Sequence, residues 1–169
     1  MANRGREFEA EVKKSADKQD IFIWKIPDTY VPIKDISKAG WAPKMPADFI
    51  AHYDGVLFYI ECKSTNGKSI SIQRTKDDKS KMIQLHQWTS LLKFERKDVR
   101  CGLMLCFDNE GKHNVYWWRI KDFKKFLDKC KKKSCNEKDV IKYGGKRVKQ
   151  EKAIKHYTYD IAAMLGQKS

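Results

Sequence analysis

At 169 residues the chain is long enough for one domain with a usable core. Five cysteines at irregular spacing make no disulfide framework and point to a reducing compartment, the cytoplasm; no apolar run would span a bilayer, and the polar N-terminus does not resemble a signal peptide. The formal charge is +14, and residues 112–155 hold 16 Lys or Arg against 5 Asp or Glu, an excess of 11 that follows no single helix face, so the expected partner is a polyanion and not a membrane surface.

Phe8, Val12 and Ala16 recur every four residues and predict a first helix over residues 3–18. A short β-rich run covers 21–26. Residues 27–46 contain four prolines and a Lys-Ala-Gly-Trp segment, which reads as a projecting arm; Lys34, Lys38, Lys44 and Trp41 give it charge and one stacking surface, although Trp41 would serve equally as an anchor for the loop. A hairpin around Asp54-Gly55 follows, then a polar stretch over 66–81 and an apolar helix over 82–94. Residues 99–107 and 114–120 read as two strands joined at Asn109-Glu110-Gly111. Phe123, Phe126, Leu127 and Cys130 mark another amphipathic helix, which runs out into Lys131-Lys132-Lys133, and a short helix containing Tyr157, Ile161 and Leu165 closes the chain. Mostly antiparallel strands with helices beside them make an α/β sandwich.

The hairpin carries the chemistry. Asp54-Gly55 suits a two-residue type I′ turn, whose central residues both need φ > 0. That turn sets Tyr53 opposite Val56, Ala51 opposite Phe58 and Asp48 opposite Glu61. Facing Cβ atoms are about 4.5 to 5.5 Å apart, so two carboxylates so placed repel unless a cation lies between them. Lys63, two residues beyond Glu61, is on the same face and is one such cation; Mg²⁺ or Mn²⁺ is the other. An exposed hairpin with a surface salt bridge is the plainer reading. Against it stands the nearly unbroken apolar run from Val56 to Ile60, the mark of a strand covered on both faces.

Three acids on the first helix compete for a place beside these carboxylates. With about 100° per residue, Glu9 lies about 60° from the centre of the apolar stripe, Glu11 about 100° and Glu7 about 140°, so Glu9 is expected nearest the core. Gln87 shares a stripe with Ile83 and Leu91, where a buried amide needs partners and is able to orient a carboxylate or a water. Cys101 with Cys106 and Cys130 with Cys135 do not make a zinc site, since residues five apart in a strand face opposite ways. There is no phosphate-binding GxxxxGK[ST] and no serine-nucleophile motif.

Asp48, with Glu61-Cys62-Lys63 thirteen positions on, resembles the D…ExK core of the PD-(D/E)xK nuclease superfamily, the proline standing one place early in Pro46-Ala47-Asp48. The order of the surrounding segments resembles the RecU-type Holliday junction resolvases. Asn3-Arg4-Gly5 with Glu9 is similar to that family's N-terminal helix, Ile23-Trp24-Lys25-Ile26-Pro27 to the start of its stalk, and His86-Gln87 to the helix after the motif. The likeness weakens beyond Lys121. Ala47 replaces a small polar residue, the arm is shorter than a full stalk, and the short archaeal-type resolvases share the same order of G…E, D and ExK.

The resemblance implies a restriction-endonuclease-like core, a mixed and mostly antiparallel sheet flanked by helices; residues 1–169 read as a single nuclease domain, with 27–46 as a projecting arm or stalk and 131–150 as a basic loop. It implies that Asp48, Glu61 and the Cys62 carbonyl hold Mg²⁺, with Mn²⁺ able to substitute, and that Lys63, Glu9 and Gln87 assist. DNA, as four-way junctions, is the implied partner, nicked in pairs by a homodimer. Arg4, the arm residues Lys34, Lys38, Trp41 and Lys44, and the basic residues Lys131, Lys132, Lys133, Lys146 and Arg147 are the expected nucleic-acid contacts. The alternatives are a duplex endonuclease of restriction or repair type and a non-catalytic basic DNA-binding protein.

Overall fold

The computed structural model describes residues 4–27 and 47–167. The projecting-arm residues, with Lys34, Lys38, Trp41 and Lys44, lie outside the described residues apart from Pro27. Helix α1 (Arg4–Lys18) leads into β1 (Phe22–Lys25), β2 (Phe49–Tyr53) and β3 (Val56–Thr65). A short β4 (Ile70–Ser71) and α2 (Leu85–Phe94) precede β5 (Val99–Asn109), β6 (Lys112–Arg119) and α3 (Ile120–Lys129). The remainder is finely divided into β7 (Ser134–Cys135), α4 (Glu137–Lys142), β8 (Lys146–Arg147), β9 (Gln150–Lys152), β10 (Tyr157–Tyr159) and α5 (Ile161–Leu165).

Six strands form one sheet in the order β1-β2-β3-β5-β6-β8, antiparallel throughout except for the parallel neighbours β3 and β5. This mixed, mostly antiparallel sheet flanked by helices is the expected architecture. Asp54 and Gly55 take φ of 49° and 73°, and the strands pair Tyr53 with Val56 and Ala51 with Phe58, the predicted register. Glu110 and Gly111, at 54° and 75°, make the second such turn between β5 and β6.

The sheet separates two cores. On one face, α1 lays Phe8, Val12 and Ala16 over Phe49, Phe58, Ile60 and Cys62, and α5 adds Ile161 and Leu165. On the other, α2 and α3 bring Leu91, Phe123 and Phe126 against Leu103, Leu105 and Trp118. Cys101 belongs to the second core and Cys106 to the first, as strand alternation requires. Among the described residues no helix is long and apolar enough to cross a membrane.

Two predicted elements differ. The helix expected over 82–94 begins at Leu85, because Ile83 instead bridges Ile72 and returns its main-chain hydrogen bonds to Ser71 and Gln73. Tyr157 is not helical. It opens β10, which pairs with β9, and only residues from Ile161 onward are helical, behind an Asp160 cap that accepts from Ala163 N at 2.9 Å.

Candidate active site

Asp48 stands just before β2, where its main-chain N–H donates to Ile60 O at 3.1 Å and extends the hairpin ladder by one rung. Its Oδ2 accepts from Cys62 N at 2.7 Å, so the carboxylate reaches across to the neighbouring strand beside Glu61. Glu61 is 1% exposed. Lys63 Nζ pairs with Glu61 Oε1 at 2.6 Å, and Gln87 Nε2 donates to the same oxygen. Strand alternation puts Glu61 and Lys63 on one face of β3 and sends Cys62 to the other, where its thiol is buried among apolar side chains.

The helix that supplies Gln87 is anchored at its start. Gln87 Oε1 accepts from Gln84 N at 3.0 Å, closing a capping box. Gln73 Oε1 accepts from Leu85 N at 3.1 Å, while Trp88 Nε1 donates to Gln73 O at 2.9 Å. The amide thus reaches Glu61 from a helix end at which the N–H groups of Gln84 and Leu85 are satisfied by side chains from within and before the helix.

Glu9 comes from the other layer. It pairs with Lys25 at 2.5 Å and lines a cleft of about 370 Å³ with Arg4, Gly5, Cys62, Lys63, Ser64 and Asn66. Its charge raises the proton affinity of both Asp48 and Glu61, which places it electrostatically within the same site. Glu9 is nevertheless not the acid nearest the core: Glu11 is 5% exposed, whereas the Glu9 side chain is 19% exposed. The stripe geometry counted only α1, and β10 covers the flank where Glu11 lies, with Tyr157 N donating to Glu11 at 3.0 Å and Tyr159 Oη at 2.9 Å.

Burial, reinforced by the Asp48 charge, pushes the Glu61 carboxyl from 4.5 to about 8, against the opposing pull of Lys63. Asp48 also moves up, through burial against the counteracting Cys62 N–H. Burial alone would lower Lys63; the Glu61 carboxylate beside it more than reverses this, and the ammonium is held charged. The Asp48 charge makes Glu61 harder to ionise and the Glu9 charge opposes ionisation of both, so the site favours a further positive charge. Among the described residues no three His, Cys, Asp or Glu side chains form a metal cluster. A cation here would rest on two carboxylates, a main-chain carbonyl and water, an all-oxygen set that suits Mg²⁺.

The profile of the Recombination protein U family, RecU, matches residues 3–161. The chain belongs to the RecU family of Holliday junction resolvases. The match takes in the hairpin, Gln87 and the segment beyond Lys121 where the sequence likeness weakens. An SPbeta prophage-derived uncharacterized protein, YotM, of Bacillus subtilis (strain 168) is 27% identical over 176 residues, covering 98% of this chain and 86% of that protein.

Within this RecU fold Glu9, Asp48, Glu61, Lys63 and Gln87 come together, whereas the basic residues disperse. Arg4 is at the cleft, with Nη2 at 2.7 Å from Asp108 and Nη1 at 3.4 Å from Glu7. Lys132 pairs with Asp139 at 2.7 Å and Lys133 with Asp78 at 2.6 Å, while Lys131 is exposed. Arg147 donates to Asn114 at 2.6 Å, and Lys146 lies in a separate groove with Arg119, Lys121 and Lys125. Sequence reasoning missed Gln73, Asp108 and His113, whose roles depend on contacts between distant segments and leave no mark in local spacing.

Proposed function

We propose that this RecU chain is a Mg²⁺-dependent endodeoxyribonuclease that resolves four-way junctions by paired nicks as a homodimer. The observation that carries the reading is the buried Glu61 beside Asp48, with Lys63 and Gln87 converging on one of its oxygens. Asp48, Glu61 and the main-chain carbonyl of Cys62 would hold the ion, and Mn²⁺ has the same donor preference. When bound, the metal supplies Lewis-acid polarisation of the scissile phosphate and acidifies a water.

The protein's own groups do the rest. Lys63 is a donor only, so its Nζ orients the attacking water or meets a phosphate oxygen as negative charge grows there. Gln87 fixes the rotamer of Glu61, as a supporting hydrogen bond does for a metal-binding carboxylate. Glu9, which lines the same cleft, would hold a water beside the ion. The expected ends are a 5′-phosphate and a 3′-hydroxyl. Two symmetric nicks need two such sites, hence two chains. Arg4, the arm residues Lys34, Lys38, Trp41 and Lys44, and Lys131, Lys132, Lys133, Lys146 and Arg147 supply the grip on DNA phosphates.

A mobile four-way junction and its matching duplex, each incubated with Mg²⁺ and with chelator, test the reading. Junction cleavage in Mg²⁺ alone, lost in Asp48→Asn with DNA binding retained, is the expected result. Equal cleavage of the duplex would favour the restriction or repair type, binding without metal-dependent cleavage would favour an architectural protein, and an Asp48→Asn variant cutting at the wild-type rate would remove the metal-site assignment.

A further inference from the structure

A second set of buried polar groups takes no part in the chemistry just described, yet ends at the same cleft. Arg4 Nη2 lies 3.1 Å from His113 Nδ1, His113 Nε2 lies 2.9 Å from Tyr159 Oη, and Tyr159 Oη donates to Glu11 Oε2 at 2.9 Å. His113, Tyr159 and Glu11 are only 5%, 1% and 5% exposed. Partner chemistry assigns the proton positions along this chain. A guanidinium only donates, so His113 Nδ1 is the bare, accepting nitrogen; Tyr159 gives its one hydrogen to Glu11, so His113 Nε2 carries a proton and donates to Oη. The neutral imidazole protonated at Nε2 satisfies these three links, and burial lowers the proton affinity of His113 against the opposing pull of Asp108, whose Oδ2 lies 3.6 Å from Nδ1.

The remaining contacts make the set rigid. Asp108 Oδ2 takes the same Arg4 Nη2 at 2.7 Å, so that nitrogen is held from two directions. The His113 ring stacks on Tyr157 with centroids 3.7 Å apart and planes 12° from parallel. Glu11 Oε1 accepts from Tyr157 N at 3.0 Å, and Tyr159 N donates to Ser15 Oγ at 3.0 Å. Asp108 of β5 and His113 of β6 meet the guanidinium directly, and β9 and β10 support His113, with Gln150 of β9 donating to the His113 carbonyl. The neighbours of Arg4 in the cleft are Glu9 and Lys63. Arg4 is tied to Asp108 and His113, while Glu9 keeps its own pairing with Lys25.

We propose that Asp108, His113 and Tyr159 are positioning residues that hold the Arg4 guanidinium at the rim of the cleft, aimed at a phosphate of the bound DNA and away from Glu9. This deepens the resolvase reading and rests on its assignment of Arg4 to DNA. Asp108 and His113 fix where the positive charge sits, and Tyr159 with Glu11 fixes the imidazole that receives it.

The test is single-turnover junction cleavage by the full chain in Mg²⁺ over a range of protein concentrations, with thermal unfolding measured alongside. The variants are Arg4→Ala, Asp108→Asn, Tyr159→Phe, and the doubles Arg4→Ala/Asp108→Asn and Arg4→Ala/Tyr159→Phe. Asp108 is partly exposed and Tyr159→Phe removes one oxygen, so one of the two is expected to retain the fold. Each single variant should raise the half-saturating concentration about 10-fold, the scale for losing a supporting hydrogen bond, with the saturating rate changed much less. In the Arg4→Ala background neither second change should matter further. The same loss in both backgrounds, following the fall in unfolding temperature, would make the network merely structural and overturn the proposal, as would unchanged cleavage in the single variants. If Arg4→Ala alone leaves cleavage intact, the DNA contact of Arg4 is wrong and the inference falls with it; a wild-type chain that ignores junctions instead overturns the parent reading.

Discussion

Replacing Glu61 by Gln should stabilise the metal-free protein at alkaline pH and do little in acid. The amide is isosteric with the protonated carboxyl, accepts from Lys63 as the acid does, and carries no charge. The shift of Glu61 from 4.5 to about 8 runs opposite to that of a salt-bridged surface carboxylate. Below about pH 4.5 both folded and unfolded chains hold the proton; between about 4.5 and 8 the unfolded chain gives it up first, so stability falls as pH rises, and above 8 the whole penalty is present. The full shift corresponds to about 5 kcal/mol. Relaxation and water entry around a buried charge reduce such figures severalfold, so ~2 kcal/mol is the expected scale, or roughly 4–8 °C in Tm for a chain of this size. The assay is thermal unfolding of wild type and Glu61→Gln in chelator at about pH 5 and about pH 8.5, where titrating groups remote from Glu61 cancel in the difference between the two proteins, whereas its partner Lys63 does not. Adding Mg²⁺ at the higher pH should raise the wild-type Tm and close the gap. A Tm difference that is the same at both pH values would refute the reasoning, because it would mean that Glu61 is no harder to ionise in the folded chain than in the unfolded one.

Glu9→Gln should slow junction cleavage about 10-fold while Glu7→Gln leaves it near wild type, since Glu9 lines the cleft and the Glu7 side chain is 43% exposed beside Arg4; equal rates for the two variants would remove Glu9 from the site. Gly102→Ala should lower stability by about 1–3 kcal/mol or more in a urea titration, because its Cβ would lie 2.6 Å from the Trp117 ring and 2.7 Å from the Trp118 carbonyl, and the main chain of β6 has little room to yield. An unfolding midpoint within error of wild type would show that β5 and β6 can part at that row.

How much of this was legible in the sequence depended on how local each cause is. The Asp54-Gly55 turn needs only two residues, and once it is placed the period of two dictates every pair up to Asp48 and Glu61. Gln87 was found through a stripe with Ile83 and Leu91, yet Ile83 is outside the helix, held by Ile72; the amide reaches Glu61 because of the capping box that starts α2. Glu11 was misjudged against Glu9 because its burial comes from Tyr157 and Tyr159, more than 140 positions away. The strands β8 and β9 leave no mark for a different reason: two or three residues rich in Lys, Arg and Glu show no alternation, and they pair because β6 and β10 offer edges; β10, Tyr-Thr-Tyr, is too short to separate from the helix that follows it.

The buried acids themselves separate structure from function. Glu95 accepts from Cys101 N at 2.6 Å and pairs with Arg119 at 2.5 Å, and Glu11 accepts from Tyr157 N at 3.0 Å; each ties the main chain of one element to another. Giving up those bonds would orphan a main-chain donor, at a cost of about 1–3 kcal/mol if it stays buried. Glu61 is held by the side chains of Lys63 and Gln87, and both can turn without breaking the ladder between β3 and β5. An acid gripped by the backbone is committed to the fold, whereas one gripped by a lysine and an amide can exchange a partner for an ion or a phosphate. That difference, more than burial, distinguishes Glu61 as the acid around which the proposed chemistry is arranged.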